Sequence, residues 1–213
     1  PKDLQALRPY LDLCQRLGSF ARQASKGSVS SIHITYWGGI VDFDAVPLTR
    51  AVLKGWLAGI AGDEGINDVN APHKIKALGI KVETIKSSDL VDYNELIEVK
   101  TVSSEGEEQN VRGTLLGKGN DPRIVEVDGQ AIEVRPVDVL LVVRNVDKPG
   151  IVGKLGTTLG DCGVNIANMS LSRAEDGQWA LTICELDEEP SDDALRSLVE
   201  DSDIHEARIS RQG

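Results

Sequence analysis

The sequence predicts an α+β fold, in which a mixed α/β segment is followed by a small ferredoxin-like βαββαβ unit. Three observations carry this. From Asp138 onward, apolar runs separated by turn residues follow the order strand, helix, strand, strand, helix, strand. A split βαβ unit of this order places two helices on one face of an antiparallel sheet. Before it, helical and alternating patterns are interspersed rather than segregated, and Pro136 closes the last apolar run of that region.

In chain order, Pro1 to Ala6 reads as the end of a connection. Leu11, Leu13, Leu17, Phe20, Ala21 and Ala24 make one apolar face of a helix over Leu7 to Ala24, interrupted at Gly18. Ile32, Ile34 and Tyr36 alternate with His33 and Thr35 in a half-buried strand, which Trp37-Gly38-Gly39 breaks. A second helix is expected over Leu48 to Ala61, with Val52, Leu53, Trp56, Leu57 and Ile60 buried, and a short one over His73 to Leu78. Strands follow at Ile80 to Ile85, Leu96 to Val102, Gln109 to Leu116 and Arg123 to Val127, the Asp128-Gly129 turn leading into Gln130 to Arg135.

In the C-terminal part Val139 to Val143 is an apolar, β-branched strand that runs into Asp147-Lys148-Pro149-Gly150. Pro149 reads as the first helical residue, where its missing N–H costs nothing. The helix from about Gly150 to Asp161 places Ile151, Val152, Leu155 and Leu159 on one side. Gly163 supplies a left-handed stop, and Val164, Ile166 and Met169 open the next strand. Trp179 to Glu185, a helix over Ser191 to Glu200 with Ser191 as N-cap, and Ile204 to Ser210 complete the unit. The start of the first of these helices leaves N–H groups free and a partial positive charge, which suits a small carboxylate. Asn145, Asp147 and Asn165 lie nearby as acceptors for an ammonium and a hydroxyl. These features point to an amino-acid effector. Asp147 can equally cap the helix, and Asn165 can equally satisfy turn backbone after Gly163.

Composition narrows the function classes. A net charge of −11 opposes nucleic acid or an anionic membrane as partner, and no apolar run approaches the roughly 20 residues of a spanning helix. Cys14, Cys162 and Cys184 form no paired metal motif and read as thiols of a reducing compartment, so a cytoplasmic location is expected. No metal site and no catalytic residue is expected either; His33, His73 and His205 have no partner at ligand spacing. Gly153, Gly156 and Gly160 fall inside a helix, so close helix packing is the expected reason for them rather than a nucleotide loop. The chain opens on Pro1 rather than methionine and is expected to be part of a longer one. Arg123 and Arg135 flank the Asp128-Gly129 turn, five residues before it and six after it. Together with Lys148 or Arg144 they form a possible anion site, and salt bridges to Glu126 and Glu133 are the alternative.

Asp147 to Gly150 followed by Gly163-Val164-Asn165-Ile166-Ala167 resembles the signature of ACT domains, modules that sense amino acids. Arg8 to Leu11, Leu48 to Gly55, Val69 to Pro72, Gly113 to Gly117 and Pro122 to Gly129 are similar to the C-terminal half of long-form D-3-phosphoglycerate dehydrogenases. The resemblance implies a connecting segment and helix over 1–26, an intervening, allosteric substrate-binding domain over 27–136 and an ACT domain over 137–213. It implies a parent enzyme that oxidises 3-phosphoglycerate with NAD in L-serine synthesis. This chain would lack the catalytic and NAD-binding domains, hold no cofactor itself and be inactive alone. By the same resemblance the effector is L-serine or another small amino acid. It would be contacted by Asn145, Asp147, Pro149, Gly150, Asn165 and the backbone of Ile166, across a homodimer of ACT domains within a parent tetramer. Two rival readings are the small subunit of an iron–sulfur L-serine dehydratase and an ACT oligomerisation module without effector. The first rival would bring a Ser-Ser-Ser-His-Thr run and a cysteine cluster, and neither is present.

Overall fold

A computed structural model describes residues 2–58 and 65–212. The chain divides into two compact units, Pro1–Gly129 and Gln130–Gly213, and each is α+β.

In the first unit, helix α1 (Lys2–Ala24) precedes strand β1 (Val29–Gly38), and a single 3-10 turn at Gly39–Asp42 leads to α2 (Ala45–Leu57) and α3 (Ala71–Ala77). Strands β2 (Lys81–Ser87), β3 (Glu95–Ser103), β4 (Glu108–Leu116) and β5 (Asp121–Val127) follow. Their order is β2-β1-β3-β4-β5, with β1 and β2 parallel and the other pairs antiparallel. The apolar face foreseen on α1 is buried at Leu13, Leu17, Phe20 and Ala21, with Cys14 buried beside it, and that on β1 at Ile32, Ile34 and Tyr36. Complete burial of one such side chain is worth about 1.5–3 kcal/mol.

Three local expectations change. First, α1 is one helix from Lys2 rather than a connection followed by a helix from Leu7; Leu4 stands three residues before Leu7 and seven before Leu11, in step with the helical period. Second, Gly18 does not interrupt α1; it is where α2 crosses. A Cβ on Gly18 would lie 2.0 Å from the Val52 carbonyl oxygen, and one on Gly55 would lie 1.8 Å from that of Gln15. The two bare backbones let the helices touch. Third, α2 begins earlier than expected, with Asp44 as N-cap accepting from the Val46 N–H at 3.0 Å. Ile60 and Ala61, placed in this helix from sequence, lie outside the described residues.

The second unit begins with β6 (Gln130–Val134), whose neighbours in the unit are β8 and β9. Beyond it run β7 (Val139–Val146), α4 (Ile151–Asp161), β8 (Ile166–Arg173), β9 (Trp179–Leu186), α5 (Asp192–Val199) and β10 (Ile204–Arg211). The antiparallel order β10-β7-β9-β8 is the expected βαββαβ arrangement. One core joins helices and sheet: Leu141, Val143, Ile151, Leu155, Leu159, Cys184, Leu198 and Ile204. The segment Gln130–Val134 falls within this compact unit. The Glu133 N–H donates to Ser170 Oγ (3.2 Å), and Arg135, just past the strand, gives its N–H to the buried Glu185 carboxylate (2.7 Å).

The termini of α4 decide where its neighbours sit. Its C-terminal end is a Schellman motif: Gly163 N–H donates to the Gly160 carbonyl and Val164 N–H to that of Leu159, both at 3.0 Å. Gly163 has φ of +79°, and buried Val164 closes over Leu159. At the other end Gly150, with φ of +100°, is the N-cap and Pro149 stands before it. Proline is therefore not the first helical residue. Val152, expected on the buried side, is 49% exposed, because Ile151, Leu155 and Leu159 already fill the face toward the sheet.

Candidate functional site

The N-terminal end of α4 receives no side-chain cap and has no acidic residue in its first turn. The capping role open to Asp147 is therefore not taken. Instead Asp147 Oδ2 lies 3.2 Å from Arg173 Nε at the end of β8. Strand register explains the meeting: Asn145 stands opposite Ala180, and Ala180 opposite Arg173, so one row crosses β7, β9 and β8 beside the turn. Lys148 is paired with Asp203 and Lys154 with Asp201, so the residues leading into α5's exit turn latch both sides of the α4 entrance. The hydrogen bond from Lys154 and one from the Asp203 N–H hold the Asp201 carboxyl down to about 2.

Asn145 is almost fully buried, at 1% exposure, on the sheet face that the helices cover. Its Nδ2 donates to the Val146 carbonyl (2.8 Å), and its Oδ1 accepts from Thr182 Oγ1 (3.3 Å). Pro149 and Gly150 form the turn into α4, and both are exposed. Asn165 and Ile166 lie beyond the other end of α4, which at 11 residues is about 16 Å long. Asn165 is zipped to Asp187: its Nδ2 donates to Asp187 Oδ2 (2.7 Å) and its carbonyl accepts from the Asp187 N–H (3.2 Å). The chain thus brings Asn145, Asp147, Pro149 and Gly150 together, and puts Asn165 with Ile166 a helix length away.

The outer surface of α4 is bare. A Cβ on Gly153, Gly156 or Gly160 would meet nothing within 4 Å, so the close packing expected of these glycines does not occur among the described residues. Sequence reasoning missed Arg173, Thr182 and Asp187. Each is brought in by strand pairing with residues far along the chain, and only knowledge of the register would have found them.

The two arginines of the possible anion site fall in different units. Arg123 Nη1 donates to the Pro122 carbonyl (2.9 Å). Arg135 Nε lies 3.2 Å from Glu185 Oε2, whose other oxygen also accepts from Asn168 Nδ2 (3.0 Å). Glu126, foreseen as an alternative partner, is taken by Arg112 at 3.2 Å. Of their proposed helpers, Arg144 lies against Glu206 and over the Trp179 ring, while Lys148 holds Asp203. Among the described residues no cluster of three or more His, Cys, Asp or Glu is arranged to hold a metal, and no helix is long and apolar enough to cross a membrane. Cys14 and Cys184 are buried and Cys162 exposed, all as free thiols; burial pushes Cys184 up to about 12.

Comparison with known families places this geometry. Residues 6–128 match the model of the D-3-phosphoglycerate dehydrogenase intervening domain, more than half of the chain. The chain belongs to that family. Residues 139–202 match the ACT domain, so the βαββαβ unit carrying Asp147 and Asn165 is an ACT domain. Relatives named D-3-phosphoglycerate dehydrogenase align along nearly all of it. The protein of Methanocaldococcus jannaschii is 32% identical over 206 residues, covering 97% of this chain and 38% of its own. That of Synechocystis is 33% identical over 208 residues, covering 97% and 37%. That of Mycobacterium tuberculosis is 28% identical over 205 residues, covering 96% and 39%. The chain therefore spans less than two-fifths of the length of these relatives.

Proposed function

We propose that this chain is the regulatory portion of a D-3-phosphoglycerate dehydrogenase and that its ACT domain binds L-serine, or a closely similar amino acid, between two copies. The parent activity is the NAD-linked oxidation of 3-phosphoglycerate in L-serine synthesis, with NAD held by domains outside this chain. The portion itself does not turn over substrate. One observation carries the seam: Asp147 with the uncapped helix start, and Asn165, lie at opposite ends of α4. Two α4 helices running antiparallel across a two-fold bring the Asp147 end of one against the Asn165 end of the other. The bare glycine surface of α4 favours such an approach. In this arrangement the carboxylate of the amino acid meets the free N–H groups at Gly150 and beyond. Asp147 takes the ammonium, Asn165 and the Ile166 backbone of the second copy take the remaining polar atoms, and buried Asn145 holds the floor. Feedback follows as a coupling free energy, typically about 1–3 kcal/mol between effector and active site.

Calorimetry of the dimeric chain with L-serine, glycine and L-alanine tests the reading. Binding of L-serine is expected, with a loss of at least about tenfold in Asp147→Asn and in Asn165→Ala, the size of one charge-assisted contact. No heat at millimolar L-serine in a confirmed dimer overturns it.

A further inference from the structure

A group of reactive side chains stands on the sheet of the intervening domain. Ser31 and His33 are two positions apart on β1, so both project from one face of the strand. That face is opposite to the one that buries Ile32, Ile34 and Tyr36. Parallel pairing of β1 with β2 sets His33 beside Glu83 and Ser31 beside Lys81. Lys81 and Glu83 are exposed and Ser31 and His33 half-buried, so the row is open to solvent.

The hydrogen bonds run in one line. Ser31 Oγ lies 2.9 Å from His33 Nε2, and His33 Nδ1 lies 2.9 Å from Glu83 Oε2. A carboxylate only accepts, so Nδ1 carries the proton and donates it to Glu83. Nε2 keeps its lone pair, and the Ser31 hydroxyl donates to it. Nucleophile, base and orienting carboxylate are thus joined in the order, and at the distances, that general-base activation of a hydroxyl requires. The adjacent hydroxyl is the contrast. Ser30 Oγ donates to the Val102 and Ser103 carbonyls at 3.0 and 3.1 Å, and a carbonyl oxygen is too weak a base to take its proton.

We infer that Ser31 is an activated nucleophile that takes up an acyl group from an activated ester. Ser31 Oγ forms its bond to the carbonyl carbon as its proton passes to His33 Nε2. The bond from that carbon to the leaving group then breaks, its electron pair goes to the leaving oxygen, and the imidazolium returns the proton there. Glu83 is a positioning residue, which holds the ring tautomer and stabilises the imidazolium between the two transfers. Lys81, in register with Ser31, brings positive charge toward the carbonyl oxygen as it becomes anionic. Because the row is open, the leaving group rather than the shape of the donor sets the class: esters of small carboxylic acids with a stable aryl oxide as leaving group. Acceptance is stoichiometric, since the serine ester formed has an alkoxide leaving group and is far less reactive than the donor.

The test exposes the whole chain to p-nitrophenyl acetate and, separately, to a fluorophosphonate, whose phosphorus the same hydroxyl attacks with loss of fluoride. Release of p-nitrophenolate gives the rate, and peptide mass spectrometry locates each adduct. Both reagents are expected to modify Ser31 and to leave Ser30 unmodified. General-base assistance contributes about 100- to 10,000-fold, so His33→Gln is expected to slow modification of Ser31 at least about tenfold. Glu83→Gln is expected to slow it as well, with Ser31 still the residue modified, and Ser30→Ala to leave the rate unchanged. Thermal melts check that the variants are folded. No adduct at Ser31 in the unaltered chain, equal modification of Ser30 and Ser31, or an undiminished rate at Ser31 in folded His33→Gln overturns the inference.

Discussion

At the scale of single residues, the site depends on a carboxylate that is already occupied. Asp147 is paired with Arg173, whose side chain is largely exposed. An incoming ammonium must displace that guanidinium, and an exposed pair of this kind is worth only about 0.2–1 kcal/mol. Arg173→Ala is therefore expected to tighten amino-acid binding by up to about fivefold, measured by calorimetry beside the unaltered chain. Weaker binding in that variant would mean that Arg173 itself contacts the effector. Asp147 and Asn165 were legible as candidates because they flank a Pro-Gly turn and a glycine stop, both local features. The burial of Asn145 was not legible. Its environment is made by Thr182, a residue 37 positions away that only the sheet brings beside it.

At the scale of elements, glycines of the same chemistry do opposite things. Gly55 lets α2 touch α1, and a methyl group there collides with the Gln15 backbone at 1.8 Å. Gly55→Ala is expected to destabilise the chain by about 1–3 kcal/mol or more. Gly153, on the open surface of α4, has nothing within 4 Å of a Cβ, so Gly153→Ala is expected to stabilise the monomer by about 0.5–1 kcal/mol through helix propensity. Denaturant melts of the two variants separate these roles, and a loss of stability in both would refute the distinction. The latch between α4 and the turn after α5 adds a pH signature. Asp201 titrates at about 2 in the folded chain, against roughly 3.9 unfolded. Its contribution is complete above about pH 4 and is lost as pH falls toward 2. Asp201→Asn should flatten the stability profile across that window and leave its shape above pH 5 unaltered. A profile with the same acid slope in the variant would assign the loss to other carboxylates.

At the scale of the whole molecule, the proposed effector site is complete only when a second copy supplies Asn165. Effector binding and self-association are then linked, and L-serine that favours the dimer must bind the dimer better by the same factor. Sedimentation at micromolar protein is expected to give a dimer dissociation constant about five- to 150-fold lower with saturating L-serine than without. An unchanged constant, with serine heat retained, would move the site inside one copy.

The order of elements, the βαββαβ unit, the Schellman stop at Gly163 and the family runs could all be read from the chain itself. Each rests on neighbours within a few positions, where periodicity and backbone preference act directly. Tertiary structure alone decided that Gly18 is a crossing rather than a break, that Asp147 faces Arg173 and that Asn145 is interior. These outcomes depend on which distant segments pack together and in what register. That choice is made by the sum of many weak contacts spread over the fold, and no short window of sequence contains it.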